Sequence, residues 1–217
     1  APMIERQIAY NKAISEEGLR GDYGANIGKV LLQMYGTEDV KILAKARAAA
    51  GSDARMNGCE LPVVIVSGSG NQGITASIPV VTYAEYLGVS KEEMLRAVTL
   101  SDLLAVHLKT GIGRLSAYCG AVSAGGASGA GICFLHGGRY REIAHTLVNA
   151  LAIDSGMICD GAKASCAAKI AMAVEAGILG YYMFKNGQQF KSGEGIITKG
   201  VEETIANVGK LAHDGMR

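Results

Sequence analysis

The stretch LSAYCGAVSAGGASGAGICFL, residues 115–135, decides the fold. It carries no charged residue, and its length suits either a membrane span or a helix buried in a globular domain. Its composition separates the two. It holds Ser116, Ser123 and Ser128, Cys119 and Cys133, and glycines at Gly120, Gly125, Gly126, Gly129 and Gly131. Insertion into lipid is driven by Leu, Ile, Phe and Val, which are scarce here. Small residues instead let backbones approach closely. The segment therefore reads as a buried, Gly/Ala-rich central helix or helix-loop. Its flanks show no strong Lys/Arg bias, and no membrane span is expected.

The rest of the composition agrees. Of 217 residues, 49% are hydrophobic and 19% charged, which excludes a disordered or fibrous chain. There are 30 Gly, no Trp, 3 Phe and 3 Pro. A core short of aromatics and rich in small residues implies helices in close backbone contact. Basic and acidic residues number 21 and 20, for a net charge of +1. Such a balance offers no field for a phosphate backbone, so no nucleic-acid partner is expected. Five cysteines, an odd number at wide spacing, argue against a disulfide framework and point to a reducing cytoplasm.

Working outward, helix follows helix. Residues 3–17 place Ile4, Ile8 and Ile14 near one face, with Gly18 as a stop. Residues 25–34 form a short helix, and Thr37 caps one running to about Ala50. Gly51 to Gly58 reads as a turn-rich break. LPVVIV, residues 61–66, is the one convincing β-like run. SGSGNQG, residues 67–73, is a loop ahead of a helix over 74–87. Ser90 and Glu93 form a capping box that opens a helix to about Thr110. Residues 139–153 and 164–184 are helical, and Thr198 caps a final helix ending near His213. The softest break is 185–197. The expected fold is mainly α, a single multi-helix domain over 1–217 with at most one or two short strands. Its Gly/Ala-rich faces permit pairing into a homo-oligomer.

Gly68, Gly70 and Gly73 spell the dinucleotide fingerprint after an apolar run. A nucleotide fold needs a second strand ending in an acidic residue about 20 positions on, and there the sequence reads Lys91-Glu92-Glu93 in a helix's first turn. Two readings outweigh it: a packing turn, and a loop whose amides, at a helix N-terminus, hold an anion. On the second, Gly68, Gly70, Asn71, Gln72 and Gly73 bind a carboxylate or phosphate, with Asn71 and Gln72 adding donors.

Cys119, Cys159 and Cys166 each sit beside Gly or Ala, so backbone can pass close to a bulky inorganic group. Between the last two, Gly161 permits a tight turn and Lys163 can lower a thiol pKa. The spacing is that of neither ferredoxins nor zinc ribbons, and unaided the three read more readily as small buried hydrophobes than as cluster ligands.

The run SGSGNQGITASIPVV (67–81) resembles the central motif of the L-cysteine desulfidase family, which belongs with the α-chain domain of iron–sulfur L-serine dehydratases. YNKAI (10–14), EEGL (16–19), YGANIGK (23–29), SAYCGA (116–121), DSGMICDGAKASCAAK (154–169) and GVEETIANVGKLAHDGMR (200–217) are similar too, in the family's order. The resemblance covers essentially the whole chain. It implies that Cys119, Cys159 and Cys166 hold an oxygen-sensitive [4Fe-4S] cluster, while Cys59 and Cys133 match no ligand position. It also implies that the chain corresponds to the C-terminal portion of a longer family chain, whose additional N-terminal region takes part in substrate handling.

The implied reaction is β-elimination from a small amino acid, L-cysteine or L-serine, with an open iron acting on the departing sulfur or oxygen. Lys163, Lys169, His107, His136, His145 and His213 are bases by chemistry alone, and none is singled out. Two other classes compete: a non-catalytic helical binding or assembly module, and, more distantly, a dinucleotide-binding protein.

Overall fold

The computed structural model describes residues 2–113 and 116–216. Ala1, Arg114, Leu115 at the head of the uncharged segment, and Arg217 at the end of the terminal block lie outside it. Among the described residues the chain forms nine α-helices: α1 (Pro2–Arg20), α2 (Ile27–Tyr35), α3 (Val40–Met56), α4 (Gly70–Leu87), α5 (Lys91–Thr110), α6 (Gly120–Leu135), α7 (Tyr140–Asp154), α8 (Cys166–Lys185) and α9 (Val201–Lys210). A single π-helical turn, Leu211–Gly215, follows. The described residues contain no strand, only the isolated bridges Val66–Ser69 and Tyr118–Ile158.

Helix α6 is the centre, buried from Ala121 to Cys133. Helix α8 crosses it backbone to backbone. A Cβ on Gly125 would stand 2.3 Å from the Ala173 carbonyl oxygen, and one on Gly177 would stand 2.2 Å from that of Gly125. No side chain fits there, which is why this sequence is rich in Gly and poor in aromatics. Helices α4, α5 and α7 pack on the other faces of α6, and α3 packs on α8, α1 and α4. By length and composition α8 is the one helix among the described residues able to cross a membrane. Here it is a core helix: Ile170, Ala173, Val174 and Ile178 are buried against its neighbours.

Several local expectations change. The β-like run 61–66 is extended but pairs with no strand. The fully buried Asn11 takes the partner's place: its Oδ1 accepts the Val64 N–H at 2.9 Å, and its Nδ2 donates to the Val64 carbonyl at 3.3 Å. Helix α3 runs through the supposed break as far as Met56, because Gly51 packs against Ile74, and Asp53 is buried where it accepts the Gly28 N–H at 2.9 Å. Its cap is Asp39, not Thr37. Gly18 does not stop α1 but lets it lie on α3, where a Cβ would stand 1.9 Å from the Ala50 carbonyl oxygen. Thr198 does not cap α9, whose N-cap is Gly200; the Thr198 N–H instead donates to the Thr204 hydroxyl at 3.2 Å. The Ser90–Glu93 capping box forms as read, with both reciprocal bonds.

Candidate functional site

Three helices begin at one place. Ser69 caps α4, Cys119 occupies the N-cap of α6, and Cys166 is the first residue of α8. The dipoles of three helix starts favour negative charge here. Two cations join it from helix C-terminal turns, Arg55 on α3 and Lys109 on α5, where the dipole favours positive charge. Between them lies a cavity of about 290 Å³. Gly68, Ser69, Asn71 and Gln72 line it, as do Cys119, Cys159 and Cys166, together with Arg55, Lys109, Lys169, Ser116 and Tyr118.

Local geometry explains how distant residues meet. The segments carrying Cys119 and Cys159 pair through the Tyr118–Ile158 bridge. The Cys119 N–H donates to the Met157 carbonyl at 3.2 Å, and the Cys159 N–H donates to that of Ala117 at 2.6 Å. Gly161, at φ +102°, then turns the chain into α8. The Cys166 Sγ accepts the Lys163 backbone N–H at 3.5 Å. On the opposite wall, Ser67 at φ 49° and Gly68 at φ 81° reverse the chain into α4.

Charge is uneven across the site. Burial pushes the Cys119 thiol up; the Ala121 N–H and the Lys169 ammonium oppose this, while the Cys159 and Cys166 thiols reinforce it. Burial pushes the Lys109 ammonium down, and Cys119 and Cys159 act against that. Asp160 is held well below the usual carboxylate range by Lys169 and Lys163. Lys169 and Lys163, the latter at 3.0 Å, are both engaged with Asp160, and Lys109 and Lys169 also act on the thiols.

Of the glycine-loop residues, Gly68, Asn71 and Gln72 line the cavity, whereas Gly70 and Gly73 do not. A Cβ on Gly70 would stand 2.3 Å from Arg55 Nε, and one on Gly73 would stand 2.0 Å from the Val64 carbonyl oxygen. Gly70 thus makes room for the side chains of Arg55 and Val63, the latter 2.6 Å from that Cβ, and Gly73 for the backbone of the 61–66 segment. With no strand on either side of this loop among the described residues, the dinucleotide reading is set aside. Cys59 and Cys133 lie apart from the cavity lining; burial pushes the Cys133 thiol up to about 11. The four histidines are absent from the lining as well. His107 meets Glu202 at 2.8 Å, His136 bonds the Ile132 carbonyl at 2.9 Å, His145 stacks on Phe184, and His213 lies beside Asp214. Among the described residues no three His, Cys, Asp or Glu side chains are grouped closely enough to hold a single metal ion.

The sequence matches the serine dehydratase alpha chain family over residues 1–217. The chain belongs to that family. Relatives include a UPF0597 protein of Desulfitobacterium hafniense, 64% identical over 215 residues, covering 99% of this chain and 50% of the relative. A UPF0597 protein of Lachnoclostridium phytofermentans is 56% identical over 216 residues, covering 100% of this chain and 52% of its own. One of Treponema denticola is 48% identical over 220 residues, covering 100% and 51%. The chain spans about half the length of the curated relatives it matches.

For this serine dehydratase alpha chain family member, sequence reasoning missed Arg55, Lys109, Ser69, Ser116 and Tyr118. Arg55 stands in what reads as a break, and nothing in the sequence distinguishes it or Lys109 from the other basic residues. The one available signal was positional: both occupy the last turns of helices, where cations are favoured.

Proposed function

We propose that this chain provides the cluster-holding and substrate-binding part of an iron–sulfur-dependent lyase that acts by β-elimination on L-cysteine or L-serine, in the manner of the L-cysteine desulfidases. The observation that carries this reading is the meeting of the glycine loop with Cys119, Cys159 and Cys166 in one cavity. Membership of the serine dehydratase alpha chain family supports the reaction class.

The donor set fits a [4Fe-4S] cluster. Such a cluster spreads its ligands over separate irons, so it asks for thiols around one cavity and not on one point. Two of these thiols stand at helix starts, and Lys109 and Lys169 line the same cavity, where their charge offsets that of cysteines bound to a metal cluster. Gly120, Ala121, Gly161 and Ala162 leave room beside them. When bound through three cysteines, the cluster supplies an open iron that acts as a Lewis acid on the β-substituent.

The protein's own groups do the rest. The start of α4 and the side chains beside it receive the carboxylate. Lys109 and Lys169 balance the thiolate charge. Loss of the α-proton and the β-thiol from cysteine leaves an enamine, which takes up water to give pyruvate and ammonia alongside hydrogen sulfide. Serine loses water first and regains it, giving pyruvate and ammonia. No histidine reaches the cavity lining, and Lys163 and Lys169 are both engaged with Asp160, so none of these candidate bases is singled out. The remaining half of the longer relatives is the place for groups that the cavity lacks. The reducing cytoplasm suits such a cluster.

The test is pyruvate release by the natural full-length protein, cluster-loaded without oxygen. The reading expects pyruvate with sulfide from L-cysteine, or pyruvate from L-serine. A loaded protein that releases pyruvate from neither contradicts it.

A further inference from the structure

Among the described residues the cavity lining holds three cationic side chains, Arg55, Lys109 and Lys169, and no aspartate or glutamate. Lys169 is ion-paired with Asp160. Lys109 lies buried and is a point charge. Arg55 alone of the three carries a guanidinium fork. The ion pairs among the described residues do not include it. Its side chain makes one bond, from Nη1 to the Asn71 Oδ1 at 3.2 Å, and that acceptor is neutral. A guanidinium has five N–H donors in a fixed fork that matches a carboxylate.

Position adds to charge. The Arg55 guanidinium crosses the first turn of α4, close enough that a Cβ on Gly70 would meet both Nε and Cζ. Its donors and the free amides of α4 therefore share one corner of the cavity. A second observation in the same wall points to a ligand. Gln72 is 7% exposed, and its buried Oε1 has no hydrogen-bond partner. A buried acceptor left without a donor is costly, and turning this amide towards the cavity would let a ligand ammonium supply one. Arg55 and Gln72 together ask for an anion and a donor on one small molecule. An α-amino acid has both, whereas a simple carboxylic acid or inorganic anion has only the first.

We propose that Arg55 is the residue that binds the substrate carboxylate, as the charged member of a pocket completed by the α4 amides and Gln72. This rests on the reading of the cavity as an amino-acid lyase site. The conservative exchange to lysine is not neutral here, because a point charge loses the fork.

L-Alanine and L-alaninamide test it. Neither carries a β-leaving group, so both report binding without reaction, and they differ only at the carboxylate. Titration calorimetry is run on the natural full-length protein under anaerobic conditions, with thermal midpoints as the check on folding. Wild type is expected to bind L-alanine at least about tenfold more tightly than L-alaninamide. Arg55→Gln removes that preference, weakening L-alanine by about tenfold or more and leaving L-alaninamide within about twofold. Arg55→Lys keeps the charge and retains part of the preference; if Arg55→Gln does not fold, this variant decides. The proposal is overturned if both variants keep the wild-type ratio, if wild type binds the two equally, or if it binds neither. Failure of the lyase reading looks different: no pyruvate from cysteine or serine while the alanine preference stands. Conversely, pyruvate release by Arg55→Gln at unchanged KM refutes the Arg55 assignment alone.

Discussion

The backbone N–H of Cys159 donates to the Ala117 carbonyl at 2.6 Å. That bond ties two stretches far apart in sequence, and the return bond from Cys119 to Met157 completes a two-residue clasp. It brings the second thiol beside the first, and Gly161 then carries the chain to the third at the start of α8. The cavity is thus assembled by backbone pairing and by helix starts, and the side chains inherit their positions from both.

The α6–α8 crossing should be the least tolerant part of the fold. Gly125→Val places a side chain where even a Cβ would stand 2.3 Å from the Ala173 carbonyl oxygen. Urea unfolding should show a loss of at least about 3 kcal/mol, or no folded protein. Gly156→Ala, where a Cβ meets nothing within 4 Å, should stay within about 0.5 kcal/mol of wild type. Equal effects at the two sites would mean that the crossing is not as close as described.

Two glycines in the first turn of α4, which takes in the end of the 67–73 stretch read as a loop, should fail in different ways. Gly70→Val displaces Arg55 and should weaken amino-acid binding more than it lowers the thermal midpoint. Gly73→Val drives a side chain into the backbone of the 61–66 segment and should lower the midpoint sharply. If Gly70→Val unfolds the protein and Gly73→Val does not, the loop has been read the wrong way round.

How far the sequence carried these conclusions depends on the kind of signal. The uncharged 115–135 segment announced a buried centre because composition alone separates small-residue packing from lipid insertion. The Ser90–Glu93 box was legible because both partners lie within one turn. The 61–66 run misled because the backbone of Val64 is satisfied by Asn11, a side chain more than fifty positions away, and not by a second strand. Gly51, Gly18 and Gly73 read as breaks or loop residues, yet each serves close packing that only the folded partner reveals. In the site, the cysteines and the loop were visible as motifs. Arg55 and Lys109 were not, since a lone basic residue gains meaning only from the cavity it faces.

Asp102 should make stability depend on pH. Burial raises its carboxyl to about 6, while Gln7 Nε2 donates to it at 2.9 Å and opposes the shift. Below about pH 4 the folded and unfolded chains both hold this proton. As pH rises from about 4 to about 6 the unfolded chain releases it and the folded chain does not, so stability falls and then levels off. Asp102→Asn keeps an acceptor for Gln7 and removes the ionisation. It should raise stability at pH 7 by up to about 3 kcal/mol and change little at pH 4. Thermal melts at the two pH values decide; an equal gain at both would show that ionisation is not the cause.

The central claim is that Cys119, Cys159 and Cys166 act as one ligand set. The direct measurement is iron and acid-labile sulfide in the natural full-length protein and its five single Cys→Ala variants, reconstituted without oxygen. Wild type, Cys59→Ala and Cys133→Ala should be brown and carry about four irons per chain. Cys119→Ala, Cys159→Ala and Cys166→Ala should each lose the colour and most of the iron, with thermal midpoints of the metal-free proteins little changed. A wild type that takes up no iron, or five variants that lose it equally, would contradict the account.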